Sequence, residues 1–147
     1  MSKLFVRARA ARRRAGRCDR GQALVEFALV APLLLLMILG MVDFARAWSA
    51  YEAITYQARM GARMAVVDNP GTTEADVIQA IQDGLGRASL DASAATITIT
   101  GFRAGRGTPM QVQIDYPHSL MFAGRFLDWL AGSEDLVLST QFVMRNE

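Results

Sequence analysis

The chain has 147 residues, 52% of them hydrophobic and 20% charged, with a formal net charge of +2 and a mean hydropathy of +0.18. It is too apolar for a disordered protein, and its length allows one compact domain, or one domain plus a membrane segment, with little room for a two-domain enzyme. One cysteine and one histidine, Cys18 and His118, exclude an intrachain disulfide framework and a cysteine-rich zinc site.

The charge is unevenly spread. Residues 1–20 carry Lys3, Arg7, Arg9, Arg12, Arg13, Arg14, Arg17 and Arg20 against Asp19 alone, a net of +7. Residues 21–147 hold 8 basic and 13 acidic groups, a net of −5, so the pI of 9.1 belongs to the N-terminal arm. Any argument from basic character to nucleic acid applies only to that arm, where no aromatic residue follows Phe5 to stack on bases. No nucleic-acid partner is expected.

From Leu24 to Val42 run 19 residues, LVEFALVAPLLLLMILGMV, whose only ionisable group is Glu26. As a helix they span roughly 28 Å, close to the hydrocarbon thickness of about 30 Å, so the sequence predicts a transmembrane helix over residues 22–43. The arm lies immediately before this run, while residues 43–60 balance Asp43 and Glu52 against Arg46 and Arg59. The positive-inside rule then keeps the N-terminus cytoplasmic and translocates the residues after the span, with Arg12, Arg13, Arg14, Arg17 and Arg20 as topology determinants. The expected layout is a basic leader over 1–21, the span over 22–43, a helical extension over 44–67 and an extracytoplasmic head over 68–147.

Two cleavage readings fit this layout. A secretory signal would end at the small-x-small site Ala45-Arg46-Ala47 and release a soluble envelope or binding domain beginning at Trp48. Against it, Glu26 opens the apolar run, and the run is long for a removable signal. The other reading starts from Gly21, a glycine at the membrane entry directly after Arg20, with the Glu26 carboxylate five residues after it and then a continuous apolar helix.

The string Gly21-Gln22-Ala23-Leu24-Val25-Glu26-Phe27-Ala28-Leu29-Val30-Ala31-Pro32, behind a basic leader and continued to Asp43-Phe44-Ala45-Arg46, resembles the processing region of type IV prepilins. More closely, over residues 20–67, it is similar to the TadE-like pseudopilins of tight-adherence (Tad/Flp) pilus systems. The resemblance implies cleavage between Gly21 and Gln22 by a prepilin peptidase and a pilin-like α+β fold. It also implies a minor pilin of the inner membrane, acting in pilus assembly and adherence, with its head in the periplasm or carried into the extracellular pilus. Its implied partners are a TadF-like pseudopilin, the Flp major pilin and the Tad platform proteins. Cleavage would leave a charged amine on Gln22, and Glu26 lies one helical turn on, on the same face, followed by Phe27. A lone carboxylate in a membrane segment costs on the order of 3 kcal/mol and so calls for a partner; in pilin-like proteins that partner is implied to be the N-terminal amine.

Helical spacing continues past the span, with Phe44, Trp48, Tyr51, Thr55, Ala58, Ala62 and Ala65 along one stripe and no turn until Asp68-Asn69-Pro70-Gly71. One helix of about Gln22 to Val67 is predicted, with Trp48 and Tyr51 at the outer membrane–water interface. Its Ala58–Val67 turns are expected against the protein's own sheet and its earlier turns against neighbouring subunits. Thr72 or Thr73 would cap a second helix, with Asp76 completing a capping box, Val77, Ile78, Ala80, Ile81 and Leu85 as its apolar face, and Gly84 and Gly86 ending it. Alternation predicts strands over Ala95–Thr100 and Met110–Tyr116, joined as a hairpin and ended by Pro117. A helix from Ser119 to Leu130 and a strand over Leu136–Met144 would complete the chain. The fold class is α+β: a long N-terminal helix, transmembrane in its first half, packed on a small antiparallel sheet.

No catalytic constellation is present. His118 reads as a solvated loop residue, there is no Walker loop or His-Glu-x-x-His, and Gly84-x-Gly86 follows a helix rather than a strand. The sequence predicts no enzyme, no cofactor, no metal and no small-molecule substrate.

Overall fold

The computed structural model describes residues 2–67, 71–122, 124 and 136–146, with side chains from Gly21 onward. Contacts divide the chain into two units, Met1–Met41 and Val42–Glu147. The first is helical throughout its described length and belongs to α1, Ser2–Val66. The helix therefore begins some twenty residues before the expected Gln22 and continues through Pro32. Alanine and arginine, both strong helix formers, dominate those early turns. From Gly21 to Met41 no side chain is buried, and Leu24, Phe27, Leu29, Leu33 and Leu34 are all exposed. The segment Gly21–Val66 contains a window long and apolar enough to cross a membrane, none of it buried.

The second unit is an α+β head. It contains the last turns of α1, α2 (Glu74–Arg87), β1 (Thr96–Thr100), β2 (Pro109–His118) and β3 (Leu136–Arg145). The strands form an antiparallel sheet in the order β1-β2-β3. Alternation along β2 puts Met110, Val112, Ile114 and Tyr116 into the core. Ile114 pairs with Ile97 and Thr140, and Val112 with Ile99 and Phe142, so one face of the sheet is apolar across all three strands. Ile54, Ala58, Ala62, Ala65 and Val66 of α1 and Val77, Ile81 and Leu85 of α2 close over that face.

The buried face of α1 differs from the stripe read from spacing. Asp43, Ala47, Ala50, Ile54, Ala58, Ala62 and Ala65 are buried, whereas Phe44 and Trp48 are exposed and Tyr51 is largely so. At about 100° per residue, positions 43, 47, 50 and 54 share a face that 44, 48 and 51 do not. Small residues on that face let the head approach the helix closely, so the turns from Asp43 onward pack within the chain itself and not only from Ala58, as expected.

Two further expectations need correction. Helix α2 runs through Gly84 and Gly86 to Arg87, because Gly84 is a site of close approach and not a terminator: a Cβ there would overlap the Gln57 side chain of α1. Strand β2 does not stop at Pro117 but ends at His118, paired with Leu136. Strand β1 reaches only as far as Asp115, so Pro117 has an open edge on that side and its missing N–H interrupts no ladder there. The capping box at Thr73 is present, with Asp76 Oδ2 accepting from the Thr73 N–H at 2.8 Å. In the β1–β2 loop, Gly101 adopts φ +76°, and its carbonyl accepts from Asn146 Nδ2 at 3.0 Å. Residues 119–122 are not helical and Gly124 is; the rest of the helix expected there lies outside the described residues.

Candidate functional site

Two regions of α1 are candidates for function. The first is the sequence-predicted processing region. Gly21, Gln22, Glu26 and Phe27 all lie on α1 and all are exposed. A Cβ at Gly21 would meet nothing within 4 Å, so the glycine answers no packing demand in this unit. Gln22 and Glu26 are four residues apart on one helix face, as the sequence implied. The leader arginines Arg12, Arg13, Arg14, Arg17 and Arg20 lie on the same helix.

The second region is a polar cluster where the apolar run gives way to the head. Asp43 comes directly after Val42 and is only 3% exposed. Its two carboxylate oxygens accept from successive backbone N–H groups: Oδ1 from Met121 at 3.1 Å and Oδ2 from Phe122 at 2.9 Å. Bonds from amides to an ionised acceptor are among the stronger hydrogen bonds, and here they satisfy a charge that burial would otherwise penalise. The Arg46 guanidinium, one turn further on, lies against the Met121 Sδ. The chain across residues 119–122 is thereby fastened to α1.

His118 belongs to this cluster, and the expectation of a solvated loop histidine is overturned: it is 9% exposed at the end of β2. Burial lowers its pKa, the nearby Arg46 charge lowers it further, and Asp43 partly offsets both. The ring is thus held neutral where a free imidazole would begin to protonate. Spacing alone marks Asp43 as the end of the apolar run and His118 as solvent-facing, because the contacts of Asp43 and Arg46 lie 78 and 75 positions away and His118 meets them from another element. The available signal is the placement of a lone acid directly after an apolar run, with an arginine three residues beyond it.

Beyond this cluster, exposed aromatic residues continue along α1. Phe44 and Trp48 have ring centroids 6.3 Å apart, Trp48 and Tyr51 6.2 Å, and Trp48 Nε1 donates to Glu52 Oε1 at 3.0 Å. Among the described residues, no group of three or more His, Cys, Asp or Glu side chains is placed to hold a metal ion.

No curated protein and no solved structure matches the chain. Residues 21–63 match the family model described as TadE-like protein, a segment that starts on Gly21 and runs through the helical turns carrying Asp43 and Arg46. Over residues 21–63, α1 is therefore similar to TadE-like proteins.

Proposed function

We propose that the protein is a minor pilin of a Tad (Flp) pilus, inserted with its N-terminus in the cytoplasm, cut after Gly21 by a prepilin peptidase and built into the pilus during assembly. The observation that carries this reading is the TadE-like match beginning on Gly21, with a basic leader before it and an unburied apolar helix after it. Leader arginines hold the N-terminus inside by the positive-inside rule. Gly21 presents no side chain at the scissile bond, and the helical backbone there must open locally to enter a protease. The new amine on Gln22 and the Glu26 carboxylate then stand one turn apart, so each offsets the cost of the other's charge within a subunit or between neighbours.

The partners of this reading are the peptidase, a TadF-like pseudopilin, the Flp major pilin and the inner-membrane platform, and its outcome is pilus assembly and adherence. The protein acts as a substrate and structural component. Release after Ala47 fits the structure poorly: Ala47 and the preceding Asp43 are buried parts of the head, and a cut between Ala47 and Trp48 would remove the carboxylate that holds Met121 and Phe122. Gly21→Ala tests the assignment. Full-length protein should accumulate in the membrane and pili should be lost, whereas normal processing of that variant would contradict it.

A further inference from the structure

We propose that Met121 and Phe122, positioned by Asp43, form a lipid-contacting toe through which the head rests on the outer leaflet of the membrane. The inference goes beyond pilus assembly and rests on the reading of Leu24–Val42 as the membrane span. Asp43 is the first residue after that apolar run, about 1.5 Å of helix rise beyond Val42. Its carboxylate holds the backbone of Met121 and Phe122, so these two residues are pinned at the level where the helix leaves the hydrocarbon. Both residues nevertheless remain exposed, Met121 to 50% and Phe122 to 42%, with the Met121 sulfur against the Arg46 guanidinium.

The surroundings share that character. Phe44 and Trp48 are exposed on a different face of α1, about 3 Å and 9 Å beyond Val42, within or just beyond a headgroup layer roughly 5–8 Å deep on each side. Leu136 and Val137 are exposed at the end of the sheet where β2 reaches His118. Aromatic rings with a satisfied indole N–H and a neighbouring arginine are the side chains that membrane interfaces favour. The occupant of this apolar end is therefore phospholipid, continuous with the lipid around the span, and Asp43 is the positioning residue that keeps the head from swinging free of the surface.

The test uses the full chain reconstituted into phosphatidylethanolamine/phosphatidylglycerol vesicles containing lipids brominated either near the glycerol or near the chain ends. Phe122→Trp in a Trp48→Phe/Trp129→Phe background supplies a single reporter, with Leu35→Trp and Val143→Trp in the same background as references. Val143 is exposed on β3, seven positions from the Leu136 end. The reporter at 122 should lose most of its emission to the shallow bromines and little to the deep ones, that at 143 should lose none, and that at 35 should lose most to the deep ones. No quenching at 122 alongside deep quenching at 35 overturns the toe while leaving the span intact; no quenching at 35 overturns the span reading itself and the toe with it. Adding Asp43→Ala should sharply reduce the quenching at 122. If quenching there is unchanged while circular dichroism of the same variant still shows a folded head, the positioning role is contradicted.

Discussion

Asp43 shows how one side chain can join distant parts of the chain. Removing it leaves two backbone donors, at Met121 and Phe122, without their acceptor. Leaving buried donors unpaired costs about 1–3 kcal/mol each, less where water reaches them, so Asp43→Ala should destabilise this attachment by about 2 kcal/mol. Faster hydrogen exchange at those two amides, with little change at β2, is the expected reading; unchanged exchange would show the bonds to be weak. His118 supplies a pH dependence at the same place. Its folded pKa is depressed, so the unfolded chain binds the proton more readily and the neutral ring's stabilisation is complete only above the unfolded value. Stability should therefore fall as pH drops through about 6.5 towards the lower folded value. His118→Gln should flatten that slope in urea unfolding of the detergent-solubilised chain. Neither residue's environment was legible in the sequence, because both depend on contacts between segments far apart along the chain.

At the scale of elements, local chemistry was legible and close packing was not. The Thr73–Asp76 capping box, the alternation of β2 and β3 and the long apolar helix came from spacing within a few residues, and the structure contains them, although α1 begins some twenty residues before the expected Gln22. The buried face of α1 did not, because the large aromatics at 44, 48 and 51 suggested a core stripe although alanines fill the interface. Size is a poor guide to burial where two elements approach closely. The two glycines at the contact between α1 and α2 separate the effects involved. A Cβ at Gly61 would meet Ile81, a fully buried side chain of the core, whereas at Gly84 it would meet only the end of the flexible, half-buried Gln57 side chain. Alanine gains about 1 kcal/mol over glycine in a helix, while overpacking a core costs about 1–3 kcal/mol. Gly61→Ala should therefore lower the unfolding midpoint, and Gly84→Ala should leave it nearly unchanged; a larger loss at 84 than at 61 would reverse these roles at the interface. Thr73→Ala, which removes the cap, should cost about 1 kcal/mol.

For the whole molecule, the proposed processing would change the bulk composition of the species that functions. If the chain is cut after Gly21, the +7 arm and Cys18 are removed, leaving 126 residues of net charge −5 before the new amine is counted. The apolar excess of that product lies largely in one helix, whose second half contributes one side of the core of a small head. The long helix and the three-stranded sheet were readable because each depends on periodicity; the attachment of the head at Asp43 was not, because it depends on where residues 119–122 return to the helix. In the proposed assembly Glu26 acts only on the processed chain, so Glu26→Ala should spare membrane insertion and cleavage while reducing piliation. Unchanged piliation would remove support for the pairing of amine and carboxylate. Processing at Gly21 is tested most directly by the intact mass of the protein recovered from membranes of cells expressing the prepilin peptidase. A mature chain beginning at Gln22 is expected; a chain beginning at Trp48, or one retaining Met1, would contradict the assignment as a processed minor pilin.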